Sequence, residues 1–348
     1  MFLSQRFKHK GHEGHKVLSI VYLVSFVFIL SACAQSSDCF SEKVFCAALV
    51  TDTLGLHDDG INQDAWAGLE EAKANGLADR IEYIESVDTR DYEKNIAYFA
   101  DKGFDVIITS GAGMDDETLR SADHYRDSVF IGMNQPFEES RLNLVSVTFP
   151  EDQMGFIAGT LAARLTKTQI VGAACETSGI DSMWRFCEGF RAGVKYMEEN
   201  IKAQVIYNEN GSNENLFVDE TWGYETGQTL IQRGADVVFA AGGVTGQGAL
   251  RAAAEAQVNA IGAERNQAAI FAGANSSVVT SVLGNPSFEV QNVMRLIRDG
   301  NFNGAVTGQI NYMPLDQKFP ESLTQETDAL ILKLLSGEIK TGVAFERP

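Results

Sequence analysis

Histidine clusters, cysteine pairs and facing carboxylates are where catalysis or metal binding would begin, and this sequence sets none of them up for it. Of five His, three (His9, His12, His15) lie in the first sixteen residues, leaving His57 and His124 far apart. No Cys-x-x-Cys spacing and no His–Cys neighbourhood offers a tetrahedral metal set. No Gly-Lys-Ser/Thr phosphate loop and no Gly-x-Ser-x-Gly elbow occurs. Asp58-Asp59 and Asp115-Asp116 are carboxylate pairs, but adjacent side chains project apart. Such pairs suit helix N-termini, where they complement the macrodipole. Gly243-x-x-Gly246-x-Gly248 lacks the first-strand position and the distant acid of a dinucleotide site. Its glycines are read instead as letting backbone approach a ligand or a helix start. No catalytic residue, no metal ligand and no cofactor is expected. What remains is recognition chemistry. It is concentrated in the stretch 51–66, whose Asp, Asn and Thr side chains offer hydrogen bonds and little apolar surface.

The elements around that stretch explain its place. Val44 to Val50 is a continuous apolar run, as in a strand buried on both faces. Trp66, Leu69, Ala72 and Lys73 then recur at helical spacing up to Asn75-Gly76. The polar stretch therefore joins the carboxyl end of a buried strand to a helix, the edge where open α/β sheets bind ligands. Strands are predicted at 81–86, 105–109, 128–132 and 144–148, with helices at 91–102 and 115–126 between them. The alternation restarts with a helix at 153–165, in which Gly155, Gly159 and Ala162 permit close packing. Strands follow at 169–174, 203–207, 235–240, 258–262, 269–273 and 278–283, and helices at 183–196, 221–233, 249–256, 286–299 and 321–336. A last extended piece is predicted at 341–345. Two α/β units without a Pro-rich linker imply two parallel-sheet lobes with helices on both faces. Crossovers are placed near 148–150, 275–280 and 303–309, with a ligand in the cleft between lobes. The expected division is 1–32 leader, 33–43 tether, 44–148 plus 278–303 first lobe, and 149–277 plus 304–348 second lobe.

The leader carries Arg6, Lys8, Lys10 and Lys16, then a short apolar run, then Leu30-Ser31-Ala32-Cys33. That is the order of a signal peptide ending in a lipobox, with Cys33 as the lipidated residue. It places the domain outside the cytoplasmic membrane, tethered to it. The chain has a formal charge of −19; loss of four Lys/Arg and one Glu with residues 1–32 leaves −22. Such a surface repels nucleic-acid backbones. Cys39, Cys46, Cys175 and Cys187 remain, an even number in an exported chain. Cys175 ends a predicted strand and Cys187 lies in the next helix, so these two are expected to meet.

Several motifs together resemble the basic membrane protein family of substrate-binding lipoproteins of ABC importers. They are the lipobox, the loop Thr51-Asp52 through Asp58-Asp59-Gly60-Ile61-Asn62-Gln63-Asp64-Ala65-Trp66, Met154 to Gly159, Arg185 to Gly193, Gly234 to Phe239 and Thr280 to Leu283. The resemblance covers about residues 44–345. It implies a two-lobe type I periplasmic-binding-protein fold joined by three crossovers. It also implies a nucleoside-like small-molecule ligand, a transporter permease as partner, a membrane-anchored extracytoplasmic location and no enzymatic activity. By the same resemblance, Asp52 and Asn62 hold the base, Phe186 and Phe217 supply aromatic faces, Met114 follows a Gly-x-Gly loop and Gly243 offers backbone. Glu264 stands where the family has a ribose-binding Asp. Ile61 stands where the family has Phe, and Gly284-Asn285 where it has a Lys. Two other readings of the chain are a ligand sensor that docks a membrane receptor and a nucleoside-processing enzyme.

Overall fold

A computed structural model describes residues 39–348, except 112, 210, 212–214, 272–276, 303 and 316–317. Cys33 and the leader lie outside the described residues. The first lobe runs β1 (Cys46–Thr51), α1 (Ile61–Ala74), β2 (Arg80–Glu85), α2 (Tyr92–Ala100), β3 (Val106–Ser110), α3 (Asp115–His124), β4 (Val129–Met133) and β5 (Leu144–Thr148). The second runs α4 (Glu151–Leu165), β6 (Ile170–Cys175), α5 (Asp181–Met197), β7 (Lys202–Tyr207), α6 (Glu220–Gln232), β8 (Val237–Ala241), α7 (Gly243–Glu255), β9 (Asn259–Ala263), α8 (Gln267–Ile270) and β10 (Val278–Leu283). The chain then returns to lobe 1 for α9 (Pro286–Arg298) and β11 (Ala305–Thr307), and goes back to lobe 2 for β12 (Asn311–Tyr312) and α10 (Glu321–Leu335).

Two six-stranded sheets result, ordered β11-β5-β4-β3-β1-β2 and β12-β10-β9-β8-β6-β7. All pairings are parallel except β10 with β12. The apolar run in β1 serves both faces of its sheet. Ala47 and Leu49 pack with Ala65, Leu69 and Ala72 of α1, while Cys46, Ala48 and Val50 pack with Tyr92, Ile96 and Phe99 of α2. This is why the run does not alternate with polar residues. Disulfides join Cys39 to Cys46 and Cys175 to Cys187. The first pins the entering chain to β1, a pairing that sequence spacing did not single out.

Three placements differ from expectation. β10, assigned from residue 278 to the first lobe, pairs with β9 in the second sheet, and β11, assigned to the second, pairs with β5 in the first. The crossovers around them shift accordingly, because strand partners depend on register and not on local pattern. The strand expected at 269–273 is helical over Gln267–Ile270, capped by the Asn266 side chain accepting from Ala269 N–H. The third is the helix expected at 249–256, which begins at Gly243, so Gly246 and Gly248 lie inside it. A Cβ at Gly248 would overlap the Glu220 carbonyl, and one at Gly223 the Thr245 carbonyl. These glycines bring α6 and α7 into backbone contact.

The crossovers converge on one ring. Phe149 follows β5 into the first crossover and is 7% exposed. Gly284 in the second and Gly308 in the third lie against it, and a Cβ on either would overlap the ring. Gly284→Ala is therefore expected to displace Phe149 at a cost of about 1–3 kcal/mol, the usual range for overpacking. Thermal denaturation checks this: Tm should fall by several degrees, and an unchanged Tm would show that the ring has room to move.

Candidate ligand-binding site

Between the lobes lies a cavity of about 260 Å³. Asp52, Asp58, Ile61, Asp64 and Asn134 line it from lobe 1, and Phe186, Phe217, Gly243 and Glu264 from lobe 2. Phe149, Glu151, Gly284 and Pro286 close it at the crossovers.

Each wall residue is held by its neighbours. Asp52 N–H donates to Ser110 O (3.0 Å), which continues the β1–β3 pairing one residue into the loop. Asp52 Oδ1 accepts from Leu54 N–H (3.0 Å) and Asn62 Nδ2 (2.8 Å). Gly111 lets the carboxylate sit there, since a Cβ at 111 would overlap it. Asn62 is fully buried, and its second amide bond goes to Gly55 O (3.0 Å). Asn62 therefore positions Asp52 and is not itself on the cavity wall. Met114 is also absent from the wall. It is fully buried in the lobe-1 core with Cys46, Ala48 and Val50. A Met at this point is an apolar plug behind the loop.

Asp58 caps α1 from two residues before Gly60. Its carboxylate accepts from the N–H groups of Gly60 (2.9 Å), Asn62 (3.1 Å) and Gln63 (3.1 Å). Burial nonetheless raises its pKa against those bonds. Asp64, in the first turn of α1, is pushed up to about 6 by burial, which the Arg265 guanidinium only partly offsets. The capping role expected of the acidic pair at 58–59 thus belongs to Asp58, which also faces the cleft.

On the opposite wall, Phe186 comes from α5, which packs tightly on α4. A Cβ at Gly155 would overlap the Phe186 carbonyl, so the close packing expected of the α4 glycines fixes this aromatic. Phe217 stands in a left-handed conformation (φ +66°), and its carbonyl accepts from Thr245 N–H (3.2 Å) in α7. A bulky side chain rarely sits at positive φ, and strain of this kind clusters at ligand clamps. Glu264 is left-handed too (φ +70°). Its Oε2 accepts from the N–H groups of Gly242 and Gly243, both at 3.0 Å, at the start of α7. Burial raises the Glu264 pKa, the two amides oppose that, and Asp58 across the cleft adds to it.

Sequence reasoning missed other wall residues. Asn134, left-handed at φ +56°, turns the chain after β4, and the Asn-Gln-Pro run was its available signal. Glu151 and Arg185 form a buried ion pair of 2.9 Å at the hinge end of the cavity. Arg185 lay within a quoted motif, yet nothing in sequence paired it with Glu151. Among the described residues, no group of three or more His, Cys, Asp or Glu is placed to hold a metal.

A family model described as ABC transporter substrate-binding protein, PnrA-like, matches residues 45–318. The chain belongs to this family. It is 31% identical over 243 residues to the CD4+ T-cell-stimulating antigen of Listeria monocytogenes, covering 66% of this chain and 65% of that one. It is 29% identical over 225 residues to a Lactococcus lactis protein named ABC transporter nucleoside-binding protein BmpA, covering 64% and 60%. The chain thus spans somewhat under two thirds of the length of these relatives. Among solved structures, an ABC transporter solute-binding protein of Aeropyrum pernix superposes with a TM-score of 0.72 at 19% identity, over 85% of this chain and 92% of that one. The family's fold is the expected two-lobe, type I binding-protein architecture, with the lobes and cleft described above.

Proposed function

We propose that this chain is the extracytoplasmic receptor of an ABC importer and captures a nucleoside-like molecule between its lobes. The observation that carries the reading is the pairing of walls. Two aromatic rings, Phe186 and Phe217, stand on lobe 2, and the lobe-1 wall opposite is hydrogen-bonding and carboxylate-rich around Asp52 and Asn134. Aromatic faces suit a flat heterocycle, and buried carboxylates reject a ligand that leaves them unpaired. Oε2 of Glu264 is engaged by two amides and Oε1 has no partner among the described residues, which leaves it for a sugar hydroxyl. The relative named as nucleoside-binding points the same way. Ile61 in place of an aromatic, and Phe149 filling the space beside Gly284, favour a ligand other than guanosine or inosine. Closure about the three crossovers would enclose the ligand and present the closed form to a permease.

A thermal-shift panel tests the reading. Nucleosides should raise Tm, whereas free pentoses and free bases at equal concentration should do so less, because each engages half of the site. Equal shifts for pentose and nucleoside would contradict it. Lipidation at Cys33 is part of the same proposal, and no described helix is long and apolar enough to cross a membrane. Cys33→Ser should move the protein from the membrane to the soluble fraction or leave the precursor uncleaved. Normal processing with unchanged membrane partition would refute the anchor.

A further inference from the structure

Arg265 follows Glu264 in the turn after β9, yet its side chain leaves lobe 2. Its Nη1 donates to Asp59 Oδ1 (2.9 Å) and approaches Gln63 Oε1 (3.4 Å), while its Nε lies 3.2 Å from Asp64 Oδ1. All three partners are on lobe 1, at the start of α1. Arg265 and Asp64 keep about a fifth of their side-chain surface, and Asp59 keeps 45%. Asp59 sits at φ +47°, the left-handed region that Asp adopts more readily than most side chains, in the turn just before α1. Arg265 does not line the cavity. We propose that Arg265 is the clasp of the closed state, a positioning residue that joins Asp59 and Asp64 of lobe 1 to the turn presenting Glu264 to the ligand.

The charges around it give the clasp a second effect. Asp58 and Asp64 on lobe 1 face Glu264 on lobe 2, and Arg265 lies among these carboxylates while pairing with Asp59 and Asp64. Without it, like charges confront each other across the cleft and closure becomes less favourable. The role in ligand retention rests on the proposed receptor function: the apparent Kd rises in inverse proportion to the closed fraction, chiefly through faster release. The clasp itself does not depend on the ligand's identity, so it is tested with no small molecule added.

The full-length protein in detergent would carry spin labels on ketone-bearing side chains introduced at Tyr98 in α2 and Glu225 in α6, leaving every cysteine untouched. Pulsed dipolar spectroscopy then reads the lobe–lobe distance distribution. In Arg265→Ala, the ratio of short to long distances should fall about five-fold, the size expected for two half-buried ion pairs. Asp59→Asn with Asp64→Asn should shift it in the same direction. The exchange Arg265→Glu with both Asp59→Lys and Asp64→Lys should recover the short distances, which a merely structural Arg265 would not allow. An unchanged distribution in Arg265→Ala, or no recovery in the exchange, overturns the proposal. Failure of the nucleoside panel with these shifts present would reject the ligand and keep the clasp.

Discussion

Arg185→Met is expected to lower folding stability by about 3–5 kcal/mol, the cost of leaving a buried carboxylate without its cation. The Arg185 and Glu151 side chains are 6% and 2% exposed. The guanidinium gives Nε to Glu151 Oε2 (3.0 Å) and Nη1 to the Phe345 carbonyl (2.6 Å), and the Phe345 ring lies 4.5 Å from it. Burial already holds Glu151 above its ordinary pKa, and Arg185 is the main force pulling it down. Removing Arg185 raises that pKa further. A carboxyl with a raised folded pKa stabilises the fold while protonated and loses that contribution as pH rises through the folded value. The deficit of Arg185→Met should therefore be larger at pH 8 than at pH 5. Urea denaturation at both pH values reads it. Pairing Arg185→Met with Glu151→Leu should recover much of the loss, since no charge then stays buried. A deficit under 1 kcal/mol, or one that grows on acidification, would contradict this account of the hinge.

Phe217→Ala and Glu264→Ala should each weaken ligand binding about ten- to a hundred-fold. For Phe217 the loss combines ring stacking with apolar area, roughly 2 kcal/mol. For Glu264 it is the charged acceptor of a hydroxyl, about 1.5–3 kcal/mol. The two should differ in a second respect. Glu264→Ala also strips the acceptor from the Gly242 and Gly243 amides at the start of α7, so Tm should fall as well. Glu264→Gln keeps a carbonyl oxygen for those amides and should spare Tm while still weakening affinity. Calorimetry with the nucleoside that shifts Tm most provides the ratio. Unchanged affinity in both alanine variants would remove these residues from the site.

The fold was legible because burial wrote it into composition. Strands buried on both faces read as apolar runs, and polar stretches such as 52–60 could only be loops at their ends. Six of the eight expected ligand residues line the cavity: Asp52, Ile61, Phe186, Phe217, Gly243 and Glu264. Asn62 and Met114 do not, and the reason is three-dimensional. Asn62 directly follows Ile61 in α1, so its side chain is turned about 100° away from the cavity wall and braces Asp52 beneath it. Residues that act through distant partners were invisible. Glu151 and Arg185 are 34 positions apart, and Arg265 meets Asp59 across 206. Phe149 gave no sign either, because its role depends on two glycines in other crossovers. The glycines at 246 and 248 were read as ending a strand and letting backbone approach a ligand or a helix start; inside a helix, Gly is costly. Here contact with α6 repays that cost.

Isothermal titration calorimetry of the unsubstituted protein tests most directly whether the interlobe cavity binds a nucleoside-like compound. The panel comprises purine and pyrimidine nucleosides, their free bases and ribose. The expected result is one site per chain for at least one nucleoside, with affinity tighter than millimolar and clearly above its base and ribose alone. No nucleoside binding tighter than millimolar, or ribose binding as well as the whole nucleoside, would contradict the claim.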